Sequence, residues 1–417
     1  MKKVLVIGSG GREHAIAYKF KESKYVQEVF VAPGNPGMSD VATLVSIDQM
    51  DFDGLINFCH QEKIDLVFVG PEIPLCAGIV DAMLQENINV FGPDAYCANL
   101  EGSKSFSKQK MNQFNVPTAA HASFDDYQDA CAYLKTQKMP IVLKADGLAA
   151  GKGVLILETL EEALKALEDL MVHKLFDDSS STVVIEEFLQ GEEFSLFVLV
   201  NEDVMYPFEI AQDHKRAFDH DEGLNTGGMG AYTPVNHLPE QAKKDAFEQI
   251  VKPMVLGLNQ EGHPFTGLLY AGCMLCEDGV KTIEYNVRFG DPETEVLLLA
   301  LENDLYEAIE NLLAKNHQYQ LAFKKEAFVG VVMASNGYPE TSTKGVIING
   351  LENVNAPIFH MGTAIKDNHL VTNGGRVLFV VGSGNSILEA KQKVYHEIEK
   401  IQCDALFYRK DISDKAL

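Results

Sequence analysis

The first hundred residues alternate short apolar runs with longer stretches of mixed polarity. The apolar runs lie at residues 4–7, 29–31, 66–69 and 90–91, and a helical pattern follows the first of them at residues 12–22. Short, continuously apolar strands separated by helices are typical of a parallel sheet with right-handed crossovers. Each run ends in a glycine- or proline-containing loop, at the edge where open α/β sheets bind ligands. The pattern therefore predicts an α/β fold with a ligand-binding sheet edge.

The pattern changes after residue 103. A helix is predicted at 103–114 and an acidic, solvated helix at 160–171, among strands at 141–144, 154–157, 183–185 and 195–200. From residue 328 onward the chain is rich in strands and in turn signals such as Asn336-Gly337, Asn349-Gly350 and Asn373-Gly374-Gly375, followed by a helix at 387–401 and a strand at 405–408. We therefore predict domains at 1–102, 103–324 and 325–417.

Composition narrows the classes of partner. The 417 residues include 35 Lys and Arg against 60 Asp and Glu, a formal net charge of −25, which disfavours binding to nucleic acid or to anionic membranes. A phosphate ligand must therefore be held locally, by lysines, arginines, backbone amides or metal ions. Because Met1-Lys2-Lys3 runs straight into a short strand, we expect no signal peptide. No apolar stretch in the sequence approaches the ~20 residues of a membrane span. The seven cysteines are scattered, as expected for reduced thiols, so we expect a cytoplasmic enzyme.

The glycine loop after the first strand has two interpretations. Gly8-x-Gly10 resembles a dinucleotide-binding fingerprint, but Glu13 stands where its third glycine belongs. The second strand ends in Ala32-Pro33-Gly34, where that fingerprint expects an acidic residue, so a nicotinamide enzyme is disfavoured. Backbone amides at the start of a helix can still bind a phosphate, and a plain tight turn explains the loop equally well.

A second glycine loop, at residues 147–153, lies between two apolar strands. It is one residue shorter than a P-loop, and Gly153 replaces the Ser or Thr that would bind magnesium. Small residues with one lysine, Lys152, nevertheless suit a flexible flap over phosphates. Lys144, at the end of the preceding strand, points its charge toward this loop, although a lysine extending from a sheet edge to solvent is the plainer interpretation.

Alternating residues near position 286 predict a metal site. On a strand, Glu284, Asn286 and Arg288 share one face, and Tyr285 and Val287 share the other. A carboxylate, an amide oxygen and a guanidinium directed at one point suit a magnesium ion that bridges phosphates. The alternative is a solvated face of an edge strand. The apolar opposite face and the following Asp291-Pro292 favour the site.

The order of these segments resembles one enzyme family. The matching segments are Gly8-Ser-Gly-Gly-Arg-Glu-His14, Gly70-Pro-Glu72, Leu100-Glu-Gly-Ser-Lys104, residues 144–153, Glu186-Glu-Phe-Leu189, Asp213-His-Lys-Arg216, Asn225-Thr-Gly-Gly-Met-Gly-Ala-Tyr232, Arg288-Phe-Gly-Asp-Pro-Glu293 and Thr372-Asn-Gly-Gly-Arg376. They resemble the phosphoribosylamine–glycine ligases, also called glycinamide ribonucleotide synthetases. The resemblance implies a mixed α/β and α+β fold with a Rossmann-like N-terminal domain, a central ATP-grasp domain and a small β-rich C-terminal domain.

The resemblance also implies roles for particular residues. ATP would be bound by Lys104, Lys144, Gly151, Lys152, Gly153, Glu186, Glu187, Phe188, Leu189 and Glu193. The metal, Mg²⁺ or Mn²⁺, would be held by Glu284 and Asn286, and Arg288 and Lys144 would be catalytic. The other substrates would be bound by Gly8, Gly10, Gly11, Gly70, Pro71, Glu72, Asp213, Lys215, Arg288 and Asp291.

The chain departs from the family pattern at two places. The family usually reads Glu-Phe-Asn-Cys-Arg at the metal strand, where this chain has Tyr285 and Val287. Many other ATP-grasp enzymes place a carboxylate on the preceding strand, where this chain has the apolar residues 273–275. The metal site would therefore depend more heavily on Glu284 and Asn286.

The implied reaction joins glycine to 5-phosphoribosylamine in de novo purine biosynthesis, with ATP converted to ADP and phosphate through glycyl phosphate. No obligate protein partner is predicted. A different ATP-grasp enzyme, formate-using or carboxylating, remains an alternative. A nucleotide-binding regulatory protein without catalysis is a third, which the complete set of Lys144, Glu284, Asn286 and Arg288 disfavours.

Overall fold

The N-terminal part of the chain is a parallel α/β module. The structure is a computed structural model that describes residues 1–148, 153–175 and 182–417. The module contains, in chain order, β1 (Lys2–Gly8), α1 (Gly11–Lys21), β2 (Val26–Pro33), β3 (Thr43–Leu44), α2 (Phe52–Glu62), β4 (Leu66–Val69), α3 (Glu72–Cys76), α4 (Ile79–Gln85), β5 (Val90–Phe91) and α5 (Ala95–Gly102).

The parallel sheet has the strand order β3-β2-β1-β4-β5, with β1 paired in parallel to β2 and β4. The predicted strands at 66–69 and 90–91 coincide with β4 and β5, and the first two predicted strands are each extended at both ends. Every residue of β4 is buried, as expected for a strand covered on both faces. Because the carboxyl ends of neighbouring parallel strands meet at the same edge of a sheet, the loops after β1 and β4 lie close together.

A smaller antiparallel module follows. Its elements are α6 (Lys104–Gln113), β6 (His121–Phe124), α7 (Tyr127–Leu134), β7 (Ile141–Ala145), β8 (Val154–Leu157), α8 (Leu160–Met171) and β9 (Val183–Glu187), and its sheet has the order β6-β9-β7-β8. Ser103 caps α6 by accepting a hydrogen bond from the backbone N–H of Phe106. The bounds predicted for α8 are confirmed. Its solvation is not complete, because Leu167 and Leu170 are buried in a core that this module builds for itself.

The next part of the chain contains β10 (Glu192–Asn201), β11 (Val204–Pro207), β12 (Gln212–Asp213), β13 (Arg216–Phe218), β14 (Glu222–Asn225), β15 (Gly230–Thr233), α9 (Glu240–Asp245), α10 (Lys252–Gln260), β16 (Thr266–Cys276), β17 (Gly279–Asn286), α11 (Glu293–Ala300) and α12 (Leu305–Leu313). Four of these strands form a second antiparallel sheet, in the order β11-β10-β16-β17. A π-helical turn, Ala246–Val251, joins α9 to α10. β17 pairs with β16 so that Glu284 lies opposite Gly272.

The last part contains β18 (Ala327–Ser335), β19 (Ile358–His360), β20 (Thr363–Lys366), β21 (His369–Thr372), β22 (Arg376–Gly384), α13 (Ile387–Ile398) and β23 (Leu406–Phe407). Its helix ends three residues before the predicted end at 401. The hairpin of β20 and β21 turns at Asp367-Asn368, where φ is 50° and 60°, rather than at the Asn-Gly signals named from the sequence. Asn and Asp tolerate such left-handed positions better than most residues.

The C-terminal sheet crosses the predicted boundary at residue 325. Its order is β12-β15-β18-β22-β19, and β23 also pairs with β18. Strands β12 and β15 therefore belong to this sheet, although they precede β16 and β17 in the chain. Strand β18 is buried throughout its length between β15 and β22. Consequently, the loops on either side of β12 and β15 are anchored to the C-terminal sheet.

Candidate functional site

A cavity of about 530 Å³ lies where the antiparallel sheets meet the N-terminal module. Strands β7, β8 and β9 supply one side of it, β16 and β17 supply the other, and α6 contributes residues at its base. The sequence-predicted residues that line it are Glu72, Lys104, Lys144, Gly153, Glu186, Glu187, Phe188, Leu189, Glu193, Asp213, Lys215, Glu284, Asn286, Arg288 and Asp291. The fold thus gathers most of the predicted site from segments far apart in the chain.

Other predicted residues are not among those that line the cavity. Gly151 and Lys152 lie outside the described residues, as do the neighbouring positions 149 and 150 of the predicted flap. The residues of the first sheet edge are Gly8, Gly10, Gly11, Gly70 and Pro71, and they belong to the loops after β1 and β4. They adjoin the cavity through Glu72, the first residue of α3.

The side chain of Glu13 fills the space inside the first glycine loop. Its Oε2 accepts a hydrogen bond from the Gly10 backbone N–H at 2.7 Å, and its Oε1 lies 2.5 Å from Nε of Arg12. A Cβ added at Gly8 or Gly70 would lie within 2.6 Å of this side chain, and Gly8 also has a φ of +126°. Glycine is therefore required at both positions by close packing, and the Gly10 amide already has a partner.

Lysines line the side of the cavity that α6 and β7 form. Lys144, on β7, has its Nζ 3.1 Å from Oε1 of Glu186 and donates to the carbonyl of Ile283 at 3.2 Å. Lys104, at the start of α6, donates to the carbonyl of Gly147 at 3.0 Å. Burial lowers the pKa of Lys104, against the opposing effect of Glu284 and other carboxylates. A buried ammonium group gains strongly from an anionic ligand, because the surroundings screen little of its charge.

The predicted metal strand has the expected faces. The Tyr285 hydroxyl donates to the carbonyl of Ile250 at 2.7 Å, so this side chain anchors β17 on the side away from the side chains of Glu284 and Asn286. Glu284 and Asn286 line the cavity, and Nη2 of Arg288 donates to Oδ1 of Asn286 at 3.3 Å. The carboxylate and the amide oxygen are thus adjacent on one wall, beside the guanidinium.

Carboxylates from the N-terminal module hold Arg288. Glu101, on α5, has its Oε1 2.6 Å from Nη2 of Arg288, and its Oε2 accepts from the Val287 backbone N–H at 2.8 Å. Glu72 approaches Nε of Arg288 at 3.3 Å. Burial alone would lower the pKa of Arg288, but Glu101 and Glu72 raise it above its ordinary value. The guanidinium is therefore charged and fixed in orientation.

A second charged cluster lies around Lys215. Its Nζ is 3.2 Å from Oδ1 of Asp213 and is also hydrogen-bonded to Glu193 on β10. Glu293, at the start of α11, accepts a hydrogen bond from the Ser195 hydroxyl at 3.2 Å. Burial raises the pKa of Glu293 to about 7, and the nearby carboxylate of Asp213 adds to the shift.

Arg376 closes the far end of the cavity from β22. It lies 2.9 Å from Oδ1 of Asp291 and donates to the carbonyl of Gly227 at 2.7 Å. Sequence reasoning assigned no role to Arg376, Glu101 or Glu293, although each lies within a segment that resembles the family. Lys108 was missed too. Its signal was the spacing of four residues from Lys104, which puts the lysines on one face of the predicted helix.

The residues around the cavity are of the types that bind a polyphosphate and transfer its terminal phosphoryl group. Lysines face a carboxylate, an amide oxygen and an arginine across one cavity between antiparallel sheets, so positive charge and possible metal ligands surround the same space. Together with the preceding parallel module, this fold and site define an ATP-grasp ligase. Comparison with known proteins shows that the chain belongs to the phosphoribosylamine–glycine ligase family.

Family models for the N, ATP-grasp and C domains of phosphoribosylglycinamide synthetase match residues 2–101, 102–294 and 328–415. The chain is 50% identical to the phosphoribosylamine–glycine ligase of Halalkalibacterium halodurans over 99% of its length and 97% of that protein. It is 48% identical to that of Lactococcus lactis over the full length of both. The crystal structure of the Thermotoga maritima enzyme superposes with a TM-score of 0.87, at 35% identity and covering 99% of this chain and 100% of that one.

The comparisons confirm the family and the fold class that the sequence motifs predicted. The roles of individual residues stay predictions. In the described ranges, no helix is long and apolar enough to span a membrane.

Proposed function

We propose that this cavity is where the chain performs the reaction of its family, the ATP-dependent ligation of glycine to 5-phosphoribosylamine, and that the reaction passes through glycyl phosphate. The observation that carries the proposal is the convergence of Lys104, Lys144, Glu284, Asn286 and Arg288 on one cavity. The products are glycinamide ribonucleotide, ADP and phosphate. We infer a cytoplasmic location. We also propose domain boundaries in the chain near residues 103 and 325, with β12 and β15 of the central part pairing into the C-terminal sheet.

ATP lies between the antiparallel sheets in this proposal. Lys104 and Lys144 neutralise its phosphates, and Gly153 lines the same cavity. Gly151 and Lys152, which lie outside the described residues, are proposed as further ATP-binding residues. The exposed end of β9 and the residues after it, Glu187 to Leu189, contact adenine through their backbone, next to Glu186. Glu193 accepts hydrogen bonds from the ribose hydroxyls, and its contact with Lys215 holds it at the cavity wall.

The residues of β17 fit a divalent cation. Mg²⁺ is usually bound through one or two carboxylates, with substrate phosphates and water completing its coordination. The Glu284 carboxylate and the Asn286 amide oxygen are of this donor type, and both face the cavity. We propose that they hold Mg²⁺ or Mn²⁺. A bound cation would neutralise charge on the β- and γ-phosphates.

Glycine and phosphoribosylamine occupy the other end of the cavity. Arg288 pairs with the glycine carboxylate and with the phosphoryl group that is transferred, and Asp213, Lys215 and Asp291 line the same end. Glu72 extends this end toward the N-terminal module. We propose that Gly8, Gly10, Gly11, Gly70 and Pro71 form the adjoining surface for phosphoribosylamine. The Gly10 amide is bonded to Glu13, so this surface would act through its shape and remaining amides.

Activation of the carboxylate is the chemical requirement. A carboxylate anion resists attack by an amine, so one of its oxygens first attacks the γ-phosphorus of ATP and expels ADP. The amine of phosphoribosylamine then attacks the carbonyl carbon of glycyl phosphate. The C–O bond to phosphate breaks, and a proton from the amine leaves with the phosphate. Lys104, Lys144 and Arg288 offset the charge that gathers on the transferred group and on ADP.

Isotope transfer tests this route. When glycine carries ¹⁸O in its carboxylate, one labelled oxygen should appear in inorganic phosphate alongside ADP. Steady-state release of ADP should require both glycine and phosphoribosylamine. Label in AMP, with pyrophosphate as the other product, would show adenylation and exclude glycyl phosphate.

A further inference from the structure

Lys108 is a buried lysine at the base of the cavity. It lies on α6, one helical turn after Lys104, and is only 3% exposed. Its Nζ is 3.0 Å from Oε2 of Glu186 and donates to the Thr118 hydroxyl at 2.7 Å. Thr118 in turn donates to the carbonyl of Thr282 on β17 at 2.8 Å. Lys108 therefore connects α6 to strands on both sides of the cavity.

Glu186 is shared between the lysines. Its Oε2 faces Lys108, and its Oε1 faces Lys144 at 3.1 Å. Burial alone would raise the pKa of Glu186, but Lys144 and Lys108 lower it below its ordinary value. Glu186 is therefore an anion that is compensated from both sides, and an unpaired carboxylate at this depth would be strongly unfavourable.

The net charge of the group formed by Lys108, Glu186 and Lys144 depends on Lys108. With both lysines charged, the group carries one net positive charge, which a polyphosphate in the cavity can use. Without Lys108, the pair of Glu186 and Lys144 is neutral, and Glu186 has Lys144 as its remaining cationic partner in the group. Lys144 would then be drawn toward Glu186 and away from the nucleotide.

We propose that Lys108 is a positioning residue that acts through Glu186 to keep Lys144 oriented and available to the phosphates of ATP. This inference rests on the proposed role of Lys144 in phosphate binding. It predicts that Lys108 matters for the affinity of the enzyme for ATP rather than for the affinity for glycine.

Steady-state kinetics with ATP and glycine varied separately test the proposal. Lys108→Met should raise KM for ATP at least ~10-fold, because a charge-assisted contact is worth a factor of this size, while KM for glycine changes less than ~3-fold. Lys108→Arg keeps the charge and should stay within ~3-fold of the wild type. Lys110→Met is the matched control, since Lys110 is on the same helix but pairs with Glu261 at 2.6 Å, and Glu261 does not line the cavity.

A double-mutant cycle keeps the test decisive if Lys108→Met folds poorly. In the Glu186→Gln background the charge that Lys108 compensates is gone, so adding Lys108→Met should change KM for ATP less than ~3-fold. An equal increase in both backgrounds would overturn the proposal, as would the same KM for ATP in Lys108→Met and Lys110→Met. Lys144→Met distinguishes a failure of the proposed role of Lys144 from a failure of the Lys108 inference. If Lys144→Met leaves KM for ATP unchanged, the proposed role of Lys144 in phosphate binding fails, and the Lys108 inference fails with it.

Discussion

At the scale of single residues, the notable feature is how many ionised side chains the cavity wall holds in orientation. Arg288 is fixed by Glu101 and Glu72, and Lys144 by Glu186. Charges held by partners need no rearrangement when a phosphoryl group arrives, and such fixed polar surroundings are a main source of transition-state stabilisation. Glu284, by contrast, has no ion pair among the described residues within 4.0 Å, so its carboxylate is free to bind a cation.

Replacing Glu284 tests the metal assignment. Glu284→Gln removes the ligand charge but keeps the shape, and Tyr285 still anchors the opposite face of β17. We expect activity to fall at least ~100-fold, as for groups that support a metal site, with an unfolding midpoint close to that of the wild type. Asp278→Asn also replaces a carboxylate by an amide, but at the exposed turn before β17, and it should leave activity and the unfolding midpoint unchanged. Loss of folding in Glu284→Gln would instead indicate a structural role.

The buried Glu293 predicts a pH dependence of stability. Burial raises its pKa to about 7, from 4.5 in the unfolded chain, so the folded state binds more protons between these values. The contribution of Glu293 to the free energy of unfolding therefore falls as pH rises through this window, by up to about 1.4 kcal/mol per pH unit, and levels off above it.

Chemical denaturation of Glu293→Gln at pH 5 and pH 8 measures this effect. Relative to the wild type, the variant should be more stable at pH 8 than at pH 5, because the amide does not have to ionise in a buried site. Glu399→Gln, at an exposed position, controls for removing one negative charge from the chain. A stability difference that is the same at both pH values would contradict the assignment.

At the scale of elements, the end of the chain supports the cavity wall from behind. Arg409 is 2% exposed, binds Asp411 through Nε and Nη2 at 2.8 and 2.7 Å, and donates from Nη1 to the carbonyl of Arg216 at 3.0 Å. The Ser413 backbone N–H donates to Nε2 of His214 at 2.9 Å. These contacts hold the segment from β12 to β14, whose residues Asp213 and Lys215 line the cavity.

Arg409→Met should loosen this segment. The Arg409 guanidinium is buried and the Asp411 carboxylate is partly buried, so removing Arg409 leaves Asp411 uncompensated. We expect the free energy of unfolding to fall by up to about 3 kcal/mol. Backbone amides of β13 and β14 should exchange hydrogen faster, while those of β7 and β9 keep their relative protection. Lys410→Met, at the exposed neighbouring position, is the control. Unchanged exchange in β13 and β14 would show that the tail does not hold them.

At the scale of the whole molecule, the C-terminal sheet joins parts of the chain that the sequence predicts as separate domains. Strand β18 is central, and β15 from the middle of the chain pairs along one of its edges. A cut between residues 324 and 325 would leave unpaired edges on both fragments, and such edges favour aggregation. The end of the chain and the residues that line the cavity therefore share one framework.

Fragment complementation tests this view. Residues 325–417 produced alone should give no cooperative unfolding transition, because β18 lacks its partner β15, whereas coexpression with residues 1–324 should restore a folded, active complex. Intact chain expressed in parallel sets the reference activity. A folded, monomeric 325–417 fragment with dispersed amide resonances would show that the C-terminal sheet does not need β15.

The sequence by itself determined much of the local structure, and it predicted which residues could carry the chemistry of the site. Apolar periodicity located strands such as β4, β5 and β8 to the residue, because burial on a strand or on one helix face repeats over a few positions. Residue types at strand ends indicated phosphate and metal binding, and the order of the motifs indicated the family.

Only the tertiary structure decided which distant groups meet. Glu101 binds the backbone of Val287 from 186 residues away, Ser413 binds His214 from 199 residues away, and β15 joins β18. Lys108 and Glu186 likewise meet only after α6 packs against β9. No local pattern encodes these contacts, because each depends on the packing of whole elements and on the cost of leaving a buried charge or strand edge without its partner.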